Sequence, residues 1–146
     1  MNLTKTDTKL KADIAEFAVT TELLRRGFKV LKPLGDRLPY DLAIDKEGHL
    51  ICLQIKSAWQ RNRTYFVDNR RTKTNRRQML RARYTACDFD YAVIYIDDLH
   101  VFYVMPVDAF CSYKSGIAFV ERSTRQRKPR SHLYREAWHL LGSSGH

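Results

Sequence analysis

Nowhere in the 146-residue chain do apolar residues run on for the roughly 18 positions that a membrane-spanning helix needs. The segment Met1 to Lys11 is polar where a secretory leader would be greasy. The expectation is a cytoplasmic protein with no membrane partner. Cysteine is scarce: Cys52, Cys87 and Cys111 lie 35 and 24 residues apart, with no Cys-x-x-Cys pair and no histidine at zinc-ligand spacing. That pattern excludes a disulfide framework and reads as reduced thiols. His132 and His139 share a helical spacing but are not read as a metal set. There is no glycine-rich phosphate loop, no serine or cysteine nucleophile motif and no His-Asn-His-like run. Repeats, low-complexity tracts and long linkers are absent too, so residues 1–146 read as one domain.

What is present is a foldable composition and an uneven charge. Hydrophobic residues make up 44% and aromatic residues 12% of the chain, too much for a chain that stays disordered. The net charge is +10, and it is concentrated in the second part. Residues 1–60 hold ten Lys/Arg against eight Asp/Glu, whereas residues 61–146 hold sixteen against eight. A first basic segment, about 61–83, carries Arg61, Arg63, Arg70, Arg71, Lys73, Arg76, Arg77, Arg81 and Arg83 against the single acid Asp68. A second, about 121–131, carries Arg122, Arg125, Arg127, Lys128 and Arg130. Arginine dominates both, and its planar guanidinium binds phosphate or a guanine edge in a bidentate way that ammonium cannot. The Arg122 to Arg130 stretch is polar throughout, with no apolar face to enter a membrane, so nucleic acid is the natural partner. Gln60, Asn62, Asn69, Asn75, Gln78 and Gln126 stand among the arginines as candidate base readers.

The periodicities predict an opening helix over about residues 8–26, with Leu10, Ile14, Phe17, Thr21 and Leu24 at 3.6-residue spacing and Gly27 closing it. A strand follows over 28–34. Runs at 40–45 and 49–58, separated by Lys46-Glu47-Gly48, predict a β-hairpin. Short strands are expected near 64–67 and 117–120, a second hairpin from 89 to 105 turning at Asp97-Asp98, and a short helix near 107–113. A C-terminal helix is expected from about His132 to Leu141. The stretch from Thr72 to Tyr84 has few apolar residues and reads either as an exposed helix or as a long binding loop.

Four polar residues stand where apolar ones are expected. Glu16 lies in a stripe with Ala12, Val19 and Leu23 that looks packed, and a buried carboxylate needs a partner or a cation. Asp41 follows Pro39-Tyr40 at the start of a hairpin strand. Gln54 and Lys56 alternate with Leu53 and Ile55, so they share one face of the next strand, and an antiparallel pairing brings Asp41 opposite or diagonal to them. Taken singly, Asp41 reads as a turn residue, Glu16 as a solvated helix residue and Lys56 as an edge-strand charge. Together they resemble the kit of phosphodiester hydrolysis: carboxylates for a hard divalent cation and a lysine to orient or deprotonate water, or to neutralise transition-state charge.

Glu16, Pro39-Tyr40-Asp41 and Gln54-Ile55-Lys56 resemble the PD-(D/E)XK nuclease superfamily. The size, the glutamine in place of the second acid and the arginine-rich remainder are most similar to the small homing endonucleases encoded by cyanobacterial group I introns. The resemblance covers about residues 8–60 and more loosely the 89–106 hairpin. It implies a mixed α/β fold, a restriction-endonuclease-like core with a central mixed β-sheet flanked by helices. It implies a site-specific, Mg2+-dependent endonuclease that cuts double-stranded DNA, with Mn2+ able to substitute and Ca2+ supporting binding without cleavage. By the same resemblance Glu16 and Asp41 are metal ligands, the backbone carbonyl of Ile55 is a third, and Lys56 is the catalytic lysine beside Gln54. The enzyme is expected to be a dimer or tetramer presenting two sites to the two strands, nucleoid-associated in a bacterial cell, with no small-molecule cofactor. Two departures stand out: the proline lies one place further from Asp41 than usual, and Gln54 removes one negative charge from the site. That leaves two alternatives, a non-catalytic nucleic-acid-binding protein on a nuclease-like scaffold and a structure-specific junction-resolving nuclease.

Overall fold

In the computed structural model, which describes residues 5–74, 79–84, 88–121 and 127–142, the opening helix α1 spans Lys5–Arg25. It closes at Gly27, whose φ of 87° is the left-handed conformation that glycine adopts freely. Strand β1 (Lys29–Leu31) follows, then β2 (Leu42–Lys46) and β3 (His49–Ser57) as the expected hairpin. Its turn places both Glu47 and Gly48 at positive φ, 53° and 86°, and Asp45 Oδ1 accepts the Gly48 N–H at 3.0 Å. Strands β4 (Trp59–Arg61), β5 (Thr64–Asp68), β6 (Arg70–Thr74) and β7 (Met79–Arg83) precede β8 (Tyr91–Ile96) and β9 (Val101–Pro106). Helix α2 (Val107–Cys111) and β10 (Gly116–Phe119) follow, and the described chain ends in two single-turn 3-10 segments, Arg130–Tyr134 and Trp138–Leu141.

The central sheet has the order β1-β2-β3-β8-β9 and is mixed: β3 and β8 run parallel, with Ile55 opposite Val93, and every other pairing is antiparallel. Both faces are covered, which explains why β8 reads as an unbroken apolar run. On one face Val93 and Tyr95 join Leu53, Phe102 and Trp138 under the buried side of α1, which is Ala15, Val19 and Leu23. On the other, Ala92, Ile94 and Ile96 pack with Tyr65, Val67, Phe110 and Phe119, contributed by α2 and a second sheet of order β10-β5-β4.

Two expectations fail here, each for a physical reason, and the spacing that revealed α1 lies on its outer side. The Leu10, Ile14, Phe17 and Leu24 stripe of α1 is the solvent face, with Phe17 72% exposed; the sheet receives Val19 and Leu23, from the stripe read as packed, together with Ala15, all fully buried. The described residues of the Thr72 to Tyr84 stretch form neither a helix nor a long loop but, up to Arg83, strand. Strands β6 and β7 make a two-stranded antiparallel ribbon, Arg70 opposite Arg83 and Thr74 opposite Met79, held by ladder hydrogen bonds without the apolar alternation by which strands are recognised. The C-terminal helix is interrupted at Glu136, whose φ is 50°. There its N–H donates to Phe102 O at 2.7 Å, while its carboxylate accepts from Phe102 N at 3.0 Å and Trp138 Nε1 at 2.9 Å. The two bonds to Phe102 tie the terminus to β9 and the third fixes Trp138 within it, and a continuous helix would forfeit them.

Candidate active site

The hairpin register brings Asp41 to the β3 polar pair. Leu42 pairs with Leu53, and the Asp41 N–H donates to Leu53 O at 2.8 Å, so Asp41 begins the ladder opposite Gln54. Its carboxylate is fixed twice through one oxygen: Oδ2 accepts from the Ile55 N–H at 2.8 Å and from Gln54 Nε2 at 3.0 Å. Burial pushes the Asp41 carboxyl above its ordinary range; the Ile55 N–H opposes this, the charge of Glu16 adds to it, and Lys56 and Lys32 oppose it. Glu16 thus shares the field of Asp41, although the two come from different elements.

Glu16 lies deeper than a solvated helix residue but is not enclosed. Its side chain stays one-quarter exposed and pairs with Lys32, whose ammonium that hydrogen bond holds above the usual lysine range. Ala12, expected beside it in a packed stripe, is exposed. Lys56 Nζ donates to Tyr84 Oη at 3.3 Å and stands 5.1 Å from the centre of the same ring. Glu16, Asp41, Gln54, Ile55 and Lys56 all line one cavity of about 390 Å³, together with Thr8, Lys11, Ala12, Ser57 and Trp59. The Ser57 hydroxyl is buried there, with no hydrogen-bond partner among the described residues.

This donor set fits a hard divalent cation. Among the described residues no group of three or more His, Cys, Asp or Glu side chains is arranged to hold a metal. An ion in this cavity would therefore draw on two carboxylates, Glu16 and Asp41, and on neutral oxygens such as the Ile55 carbonyl. All are oxygen donors, as Mg2+ and Ca2+ prefer. An Asp41 carboxyl raised by burial and by a neighbouring carboxylate is one that a cation relieves.

The basic residues distribute unevenly. Arg61 ends β4 and Arg63 lies in the β4–β5 turn, both exposed. Arg70 is already held by Asp68 through paired contacts of 3.0 and 3.1 Å. Arg71, Lys73, Arg81 and Arg83 occupy the β6–β7 ribbon. Arg127 is exposed, Lys128 is half-buried, and the Arg130 guanidinium lies 4.5 Å from the centre of the Tyr113 ring. Arg76, Arg77, Arg122 and Arg125, like Asn75, Gln78, Gln126 and Cys87, lie outside the described residues.

Lys32 and Tyr84 are the site residues that sequence reading missed. Lys32 directly follows β1, and Tyr84 closes a stretch without readable period. Each reaches the site only through pairing distant in sequence, so neither carried a local signal.

A family model described as PD-(D/E)XK endonuclease matches residues 6–141 of the chain. Among solved structures, a bacterial homing endonuclease, I-Ssp6803I, superposes with a TM-score of 0.85 at 57% sequence identity, over 92% of this chain and 92% of that one. No curated protein matches.

Proposed function

Because the chain belongs to the PD-(D/E)XK endonuclease family and is a DNA endonuclease, we propose that it is a homing-type enzyme that cuts both strands of a specific duplex site with Mg2+. The observation that carries this reading is the convergence of Glu16, Asp41, Gln54 and Lys56 on one cavity, with Lys56 touching Tyr84, the residue that follows the arginine-bearing ribbon.

In this reading Glu16, Asp41 and the Ile55 carbonyl hold the cation. A divalent ion bound there supplies Lewis acidity, drawing charge from the scissile phosphate. Gln54 keeps Asp41 aimed by donating to its Oδ2, a task the second acid of the usual motif could perform only when protonated. Lys56 places a positive charge over the reacting phosphate, orienting the attacking water and compensating charge in the transition state. Arg61, Arg63, Arg70, Arg71, Lys73, Arg76, Arg77, Arg81, Arg122, Arg125, Arg127, Lys128 and Arg130 hold the duplex. The β6–β7 ribbon has the two-stranded form that a B-DNA major groove admits, so it is the part that reads bases. Arg70 shares its guanidinium between Asp68 and the DNA.

The enzyme acts as a homo-oligomer, dimer or tetramer, on DNA in the cytoplasm. The support lies on α1, where Leu10, Ile14, Phe17 and Leu24 form an apolar strip on the side away from the sheet. A second copy covering that strip would also supply the second site that a double-strand break requires.

Cleavage of a plasmid library carrying intron-insertion sequences tests the reading. Wild type with Mg2+ or Mn2+ is expected to yield discrete linear products, and Asp41→Asn and Lys56→Ala to bind the same DNA in Ca2+ without cutting it. Binding by wild type with no cleavage of any library member would favour a non-catalytic scaffold. Preference for four-way junctions over every linear duplex would favour a junction-resolving nuclease.

A further inference from the structure

We infer that Tyr84 is a positioning residue for Lys56, setting the ammonium over the cleavage site and tying it to the base of the β6–β7 ribbon. The inference rests on the role proposed above for Lys56. Tyr84 is almost fully buried, unlike a tyrosine that serves only to cover a surface. Its ring is wedged against Phe89, 5.1 Å between centres at 74°, and against Phe110 at 6.2 Å. Its backbone carbonyl accepts from Cys111 Sγ at 3.2 Å. Contacts with α2 and with the approach to β8 therefore hold this ring on the second core, while its hydroxyl reaches across to β3.

The two contacts to Lys56 are of different kinds and act together. The hydroxyl accepts from Nζ at 3.3 Å, and the ring face attracts the same cation from 5.1 Å. A lysine on a four-carbon stem has many rotamers, so two attractions from one rigid ring restrict its ammonium far more than either would alone. The ring is also the first residue after Arg83, the end of β7. Whatever fixes the ribbon on DNA thereby fixes the anchor of the lysine, which couples correct docking to a correctly placed charge.

The test compares Tyr84→Phe with wild type, Lys56→Ala and Tyr84→Leu. Tyr84→Phe retains the ring against Phe89 and Phe110 and removes the acceptor alone, so its melting temperature is expected to match wild type. Duplex affinity measured in Ca2+ is expected to stay within about twofold, while the single-turnover cleavage rate in Mg2+ falls by about 10- to 100-fold, the usual value of a hydrogen bond to a charged group. A readout independent of cleavage comes from lysine side-chain NMR on the metal-free protein. The Lys56 signals next to Nζ are expected to be shifted by the ring in wild type and Tyr84→Phe, and to move to ordinary lysine positions in Tyr84→Leu. Cleavage by Tyr84→Phe at the wild-type rate while Lys56→Ala is inactive would overturn the inference and leave the role of Lys56 intact. Lys56→Ala cutting normally would overturn both.

Discussion

Replacing Gln54 by glutamate, the residue type the family motif usually carries there, separates metal binding from folding. In the wild type Gln54 Nε2 donates to Asp41 Oδ2 at 3.0 Å. In Gln54→Glu two carboxylate oxygens would meet at that separation, and two full charges 3.0 Å apart repel by about 5.5 kcal/mol at an effective dielectric constant of about 20. The pair has a cheaper option. Holding one proton at pH 7 on a carboxyl of ordinary pKa near 4.3 costs about 3.7 kcal/mol, and the protonated acid restores the donor that the amide supplied. The metal-free variant is therefore expected to keep a shared proton and to lose between about 2 and 3.7 kcal/mol of stability at pH 7, the upper figure being the proton's cost. The folded-state pKa of the pair is raised, so stability is complete below pH 4 and is lost as pH rises, by up to about 1.4 kcal/mol per unit. The wild type starts in the same direction, since burial already raises Asp41. Urea unfolding in chelator from pH 4 to pH 8 measures this, with an expected midpoint shift of about 1.5 M at pH 7 for a slope near 2 kcal/mol/M. Ca2+ is expected to displace the proton and return most of the lost stability, and the Mg2+ concentration needed for cleavage is expected to fall. Equal midpoints for variant and wild type at pH 7.5 without metal would refute the reasoning, as would a loss independent of both pH and Ca2+.

Asp41→Asn is expected to slow cleavage by a factor on the order of 1,000 or more, since several kcal/mol of charge stabilisation go with the ligand. The same change is expected to raise the melting temperature of the metal-free protein, because a buried charge facing Glu16 is removed; an unchanged or lower value would contradict the electrostatic picture. Phe17→Glu puts a charge on the outer face of α1 without touching the core. Sedimentation velocity is expected to show a smaller species of unchanged fold, and an undiminished oligomer would exclude that face as the contact. Glu136→Ala removes the acceptor for Phe102 N and Trp138 Nε1, and about 2 to 3 kcal/mol of stability in denaturant titration is expected to go with it. Trp138 fluorescence would report the release of the terminus.

How much could be read from the sequence follows from how far apart the interacting groups lie. The β2–β3 hairpin was legible because its turn chemistry and its alternation are both local, and one correct register then placed Asp41 against Gln54 and Ile55. Helix α1 was legible as a helix, and Val19 and Leu23 as part of its packed side, but Ala15 was not, and Ala12 lies exposed. Periodicity reveals that a face is apolar, whereas the partner of that face is decided by elements elsewhere. The sheet approaches closely enough to want Ala15 and Val19, and it leaves Phe17 and Leu24 outside. The ribbon escaped recognition because ladder hydrogen bonds leave no mark on residue type, and the terminal helix failed on two bonds between Glu136 and Phe102 of β9 and a third from Trp138. The same division runs through the site. Asp41, Gln54 and Lys56 announced themselves by breaking an apolar pattern at positions where a polar group demands a reason. Lys32 and Tyr84 broke no pattern, because each sits where lysine or tyrosine is ordinary. A nuclease site read from sequence thus tends to yield the residues proposed to meet the phosphate and to miss those that hold them. In this fold the missed pair carries the pairing of Glu16 and the contact of Lys56.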